Sequence, residues 1–184
     1  MTDPAEFWSS FAYDGTPIRK ADPHKLGERV PNESAMKILT EIGLPEQLGY
    51  ELFFFPIHKE PLTWGEFRRQ LGRSESTEVD GFLYVAAGDD EGIIFLDGAS
   101  GRMYSWNGNR KLLINRTLAE FTEFLRLIRE SMNAVEESPS AGDPGHLPNL
   151  TERLVERFHE IDPEGMKEGC DYWKDITGRL FFGE

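Results

Sequence analysis

The sequence predicts a single α+β domain, built as a curved, mainly antiparallel sheet with helices packed against it. Three observations lead there. Between Phe82 and Asn115, four short apolar runs (FLYVAAG, GIIFLD, RMYSWN and KLLIN) are separated by the turn compositions DDE, GASG and GNR. Connections this short join antiparallel neighbours. Immediately afterwards, NRTLAEFTEFLRLIRESM places Leu118, Phe121, Leu125, Ile128 and Met132 at three- and four-residue spacing, the mark of an amphipathic helix. A chain of 184 residues that is 39% hydrophobic, with 13 Phe and 4 Trp, can fill one sizeable core.

Taken in order, residues 1–31 are rich in Pro, Asp and Lys and are expected to form a loosely packed arm, anchored once at Phe7, Trp8 and Phe11. The α+β domain is expected to occupy 32–184. PNESAMKILTEIGLP reads as a helix: Asn32 or Ser34 can cap it, Ala35, Ile38, Leu39 and Ile42 form its apolar face, and Gly43 with Pro45 ends it. ELFFFPI reads as a strand ended by Pro56. Its consecutive Phe53, Phe54 and Phe55 must point to both faces, so either both faces are covered or one ring is left exposed in a groove. LTWGEFRRQLG suits a short helix from Thr63 to Leu71, and RSESTEVD an exposed loop. The helix after the meander has Thr117 as its cap, with Glu120 placed for a capping box. EESPSAGDPGHLP then reads as a linker at about 136–148, followed by amphipathic NLTERLVERFHEID and a last helix in DPEGMKEGCDYWKDIT. Trp106 and Trp173 both stand among polar neighbours, which predicts partial exposure.

No pattern specifies catalysis. The histidines at 24, 58, 146 and 159 lie at no common ligand spacing, and Cys170, the only cysteine, sits in acidic EGCDY. One cysteine allows no intramolecular disulfide and fits a reducing compartment. There is no G-x-S-x-G elbow, Walker loop or dinucleotide fingerprint. No catalytic residue, metal or cofactor is expected. The acidic run Asp89-Asp90-Glu91 lacks the alternating oxygen ligands of a calcium loop. It reads as a solvated turn, or as a contact for a basic partner. The apolar runs are far shorter than a membrane span, and MTDPAEFWSS has no secretory signature, so a cytoplasmic protein is expected. A net charge of -13 repels nucleic acid and anionic membranes and attracts basic proteins.

The order of motifs says more than any one of them. EIGLPEQL is followed by YVAAGDDEGIIFLDGASGRMYSW, then LLINRTLAEFTEFL, and finally IDPEGMKEGCDYWKDI. This order resembles the SUKH superfamily, the Smi/Knr-like proteins of bacterial toxin–immunity systems, and is most similar to its fourth subfamily. The positions that carry the likeness are Gly43, Leu44 and Pro45; Gly88 and Asp89; Ile94, Leu96 and Asp97; Gly101; and Asn115, Thr117, Leu118 and Phe121.

The resemblance implies an α+β fold and a non-enzymatic immunity role: binding a cognate toxin, of nuclease or deaminase type, and blocking it. Such toxins tend to be basic, which suits an acidic inhibitor. It transfers no contact residues. Asp89, Asp90, Glu91 and Trp106 are the candidate partner-binding residues, chosen because acids beside an exposed aromatic suit a protein interface. The alternatives are a general interaction or regulatory module on the same fold, and a small-molecule-binding domain using a cleft beside the aromatic strand.

Overall fold

The four alternating runs in the middle of the chain are neighbouring antiparallel strands, and the predicted α+β class holds. The computed structural model describes residues 4–13, 15–73, 75, 77–88, 92–106, 110–137 and 146–182. Along them run α1 (Pro4–Phe7), β1 (Ile18–Arg19), α2 (Pro23–Leu26), α3 (Glu33–Lys37), β2 (Leu44–Pro45), β3 (Gln47–Leu48), β4 (Leu52–Phe54) and α4 (Trp64–Gln70). The second half holds β5 (Leu83–Gly88), β6 (Ile93–Leu96), β7 (Met103–Trp106), β8 (Lys111–Asn115), α5 (Leu118–Glu137), α6 (His146–Ile161) and α7 (Gly165–Phe182). Strands β3 to β8 make one six-stranded sheet in sequence order, while β1 and β2 pair separately. The centre of the expected linker, 138–145, lies outside the described residues.

One face of the large sheet meets the long helices. Leu52, Val85, Ala86, Ile94, Leu96, Met103 and Ile114 are buried with Phe121, Phe124, Leu125 and Ile128 of α5, Phe158 of α6 and Trp173 of α7. A bulge between Tyr84 and Ala86 explains how the adjacent Val85 and Ala86 both join this core. Trp173, expected to be partly exposed, is fully buried. Its polar neighbours Asp171, Lys174 and Asp175 lie on the solvent side of α7, and Trp173 faces inward with Ile176. Its Nε1 donates to the Ile114 carbonyl at 3.1 Å, so α7 occupies the edge of β8 that would otherwise invite another strand.

Asn32 and Thr117 cap the helices expected of them, and α4 carries a further cap beyond those expected. Asn32 accepts from the Ala35 amide at 2.9 Å, and Thr63 and Glu66 close a reciprocal capping box on α4. Thr117 Oγ1 accepts from the Glu120 amide at 3.2 Å, while the Glu120 carboxylate takes the Thr117 hydroxyl and the Arg116 guanidinium. Beyond α3 the chain widens into a π turn over Ile38–Ile42, closed by Gly43 donating to the Ile38 carbonyl. Gly43 has φ +86°, and a Cβ there would lie 2.7 Å from the Arg19 carbonyl oxygen, which is the physical reason for glycine before Leu44 and Pro45.

Residues 1–31 were expected to be a loose arm with one anchor. Trp8 and Phe11 are buried as that anchor requires, but Ala21, Leu26 and Val30 are buried too, so the described part is packed well beyond it. The arm's end is clamped at Gly98, whose carbonyl accepts from the Asn32 amide at 3.0 Å. A Cβ on Gly98 would stand 1.8 Å from the Arg29 carbonyl oxygen. Only backbone displacement could relieve that contact. Gly98→Ala is therefore expected to cost about 2–3 kcal/mol, read as a lower urea midpoint. A midpoint equal to that of wild type would mean that segment 27–31 yields without penalty.

A buried carboxylate joins β8 to α7. Asp162 is fully buried and accepts from the Arg116 amide and Nε, both at 2.8 Å, and from the Gly165 amide at 2.9 Å. A longer contact comes from Asn115 Nδ2 at 3.4 Å. One side chain thus caps the first turn of α7 and ties it to the end of the sheet.

Candidate functional site

Strand register divides the second face of the sheet into two rows. Tyr84, Phe95, Tyr104 and Leu113 oppose one another across β5 to β8. Helix α4 covers the Tyr84 and Phe95 part of this first row: Trp64 lies 5.4 Å from Phe95 and 5.7 Å from Tyr84, and Phe67 lies 5.0 Å from Tyr84, ring centre to ring centre. Val79 closes the cluster. The expected exposed loop RSESTEVD therefore buries this one apolar residue, because Val79 meets Trp64 and Phe95 from the side. Burial beneath α4 holds the Tyr84 phenol above its ordinary pKa.

The second row runs Phe53, Ala87, Ile93, Trp106, Lys111, again by direct register from β4 to β8. Ile93 and Trp106 pack against the cluster of Trp64, Val79 and Phe95, and Phe53 is left outside it. Phe53 is 47% exposed, and Ala87, Ile93 and Trp106 are half-buried. Phe53 and Trp106 are three strands apart, about 14 Å across the sheet. The result is a shallow apolar shelf between α4 and the end of the sheet.

Three chain reversals adjoin that end. The β3–β4 turn carries Tyr50, 87% exposed. The β5–β6 connection is based on the Gly88 amide donating to the Gly92 carbonyl at 3.0 Å. The β7–β8 connection leaves Trp106 and returns at Lys111. Asp89, Asp90 and Glu91 belong to the second of these and lie outside the described residues. At the far end of the row, Lys111 is held by Glu78 at 3.6 Å and by the faces of Phe82 and Tyr104, 5.4 and 5.2 Å from their centroids.

The sequence offered Trp106 as a candidate partner contact, and the register sets it in this row beside Ile93. Phe53 and Ile93 escaped it. The signal for Phe53 was present in its triple: alternation sends Phe54 to the helix side, 6.4 Å from Phe121, and Phe55 beneath α4, 4.6 Å from Tyr84. Phe53 is the ring left outside. For Ile93 no local signal existed, since its exposure depends on where α4 ends.

The shelf offers shape and apolar contact rather than chemistry. Its described members include no nucleophile and no general base, and no three described His, Cys, Asp or Glu residues converge as metal ligands. None of the described helices is long and apolar enough to cross a membrane.

Among the described residues, the motif positions quoted from the sequence serve the fold. Gly43 permits a turn, Ile94 and Leu96 fill the core, and Thr117 caps α5. Asp97 stabilises its own turn, accepting from the Ala99 amide at 3.1 Å and the Ser100 hydroxyl at 2.6 Å. A family model described as SUKH-4 immunity protein matches residues 18–180, from β1 into α7. No curated protein and no solved structure matches the chain. A match over so much of the domain, from the β1–β2 pair through both sheet faces to the helix held by Asp162, assigns the chain to a family: it belongs to the SUKH-4 immunity proteins.

Proposed function

We propose that this immunity protein protects its host by binding a cognate toxin domain directly, and that the toxin is a basic, nucleic-acid-directed nuclease or deaminase. Family membership over residues 18–180 carries the reading. Two properties of the chain support its finer parts. A net charge of -13 favours a basic partner and a fast, steered encounter. The shelf from Phe53 to Trp106 supplies what a charged surface lacks, an apolar strip that two surfaces can dehydrate together.

In this reading Asp89, Asp90 and Glu91 steer a cationic toxin surface toward the shelf, and Trp106, Ile93 and Phe53 hold it there. The division of labour is testable by kinetics. With the toxin domain encoded beside this gene, Asp89→Lys combined with Asp90→Lys should slow association by roughly tenfold at low salt and change dissociation little. Thermal unfolding should be unaltered. An unchanged association rate would remove this turn from the interface. Failure of the wild-type protein to protect cells expressing that toxin domain would overturn direct neutralisation and favour a general interaction module.

A further inference from the structure

Beside Phe53 the shelf drops into a cavity of about 280 Å³, lined by Arg19 of β1, Glu46, Gln47 of β3, and the segment Phe53 to Lys59 with His58. Its chemistry is the reverse of the protein's overall charge. Arg19 Nε donates to Glu46 at 2.6 Å, and among the described residues its two Nη groups donate to no partner. The Gln47 amide, the His58 ring and the Lys59 ammonium likewise make no hydrogen bond to any described residue. Lys25 of α2 reaches the same place, donating to the Lys59 carbonyl at 3.1 Å. Arg19, Gln47, His58 and Lys59 thus line one opening whose walls also include Leu44, Pro45, Phe55 and Pro56. Partial burial, and then the charges of Arg19, Lys59 and Lys25, hold the His58 imidazole below its ordinary pKa, with Glu46 opposing them.

We propose that this cavity is a carboxylate-binding pocket, which takes an Asp or Glu side chain presented by the toxin as it lies on the shelf. The inference rests on the neutralisation reading for its source of ligand, and on the cavity alone for its chemistry. Arg19, Lys59 and Lys25 against Glu46 leave the opening cationic, which suits an anionic group. The guanidinium fork suits a planar carboxylate, and the apolar walls suit a short methylene stem. The pocket sets a cationic spot at Arg19 and Lys59 on a protein of net charge -13, so a toxin must match both signs at once. Such pairing of opposite poles discriminates against partners that are merely basic.

Propionate, which is the Glu side chain from Cβ outward, tests the chemistry on the isolated protein. His58 ring resonances followed by NMR at constant ionic strength, against chloride, should shift saturably, and the apparent pKa of His58 should rise as the bound anion offsets its cationic neighbours. Arg19→Gln should lower propionate affinity roughly tenfold, and Lys59→Ala, at an exposed site, should lower it with the fold intact. A shift that never saturates, or one unchanged in both variants, would overturn the pocket. Tighter binding of inorganic phosphate than of propionate would overturn the carboxylate assignment. Protection of toxin-expressing cells separates the source: variants that lose propionate and also protect less support a toxin carboxylate, whereas full protection by them assigns the pocket to a free carboxylate and overturns the partner. Wild-type protein that binds propionate but gives no protection would defeat the neutralisation reading and leave the pocket's chemistry standing.

Discussion

Asp162→Ala is expected to lower the stability of the protein by about 4 kcal/mol, enough to leave much of it unfolded at 37 °C. The side chain is fully buried and is the shared acceptor for the Arg116 amide, the Arg116 guanidinium and the Gly165 amide. Removing it strands two backbone donors and leaves a cation next to a low-dielectric interior, and each stranded group costs more than an ordinary hydrogen bond contributes. Arg116 is itself partly exposed, so its charge can turn toward water, which keeps the loss near the middle of the range for broken buried pairs. Asp162→Asn keeps the size and one acceptor oxygen but gives up the charge, and should lose about half as much. Urea denaturation of the two variants checks the order. Equal losses would show that the carboxylate charge contributes nothing, and wild-type stability in both would show that α7 holds to the sheet by apolar packing alone.

The second large effect concerns binding. Trp106→Ala should speed dissociation of the toxin domain by roughly a hundredfold, while the protein remains folded. Trp106 lies next to the β8 end of the row, flanked by Ile93 and Lys111 on the neighbouring strands, and is half-buried against the cluster of Trp64, Val79 and Phe95. A ring in that position keeps its support from below and presents its upper face, the arrangement in which an aromatic anchor contributes most to an interface. Its partial burial limits the folding cost to about 1–2 kcal/mol. Trp106→Phe should recover a substantial part of the affinity. Leu71, 58% exposed just beyond α4 and away from the row, is the control, and Leu71→Ala should change dissociation less than threefold. Surface plasmon resonance on the four proteins decides between surfaces: if Leu71→Ala weakens binding and Trp106→Ala does not, the toxin sits on α4 and the shelf is not the interface.

Much of the architecture was legible because it depends on local chemistry. Asn32 and Thr117 cap helices through bonds that span three residues, and the runs from Leu83 to Asn115 pair with their nearest neighbours in sequence. Errors arose where a side chain's fate depends on a distant segment. Trp173 reads as half-exposed from its neighbours, yet its indole is aimed at Ile114, 59 positions away. Val79 reads as loop and is buried because it packs with Trp64 and Phe95. The packing of residues 4–31 was hidden for the same reason, since its clamp is a backbone contact between Arg29 and Gly98.

The candidate site shows the same division. Composition, alternation and capping determined by themselves that this chain forms an antiparallel meander with helices, that it is acidic, and that Phe53, Phe54 and Phe55 must part company across a strand. Those properties follow from the pleat period and from bonds within a few residues. Which ring remains uncovered was decided only when α4 came to rest over Phe55, Tyr84 and Phe95 and left Phe53 outside. The tertiary structure also brought Arg19 and Lys25 to His58 and Lys59. No local rule contains that information, because the free energy that places a helix on a sheet is summed over apolar contacts far apart in sequence, and it settles exposure one side chain at a time.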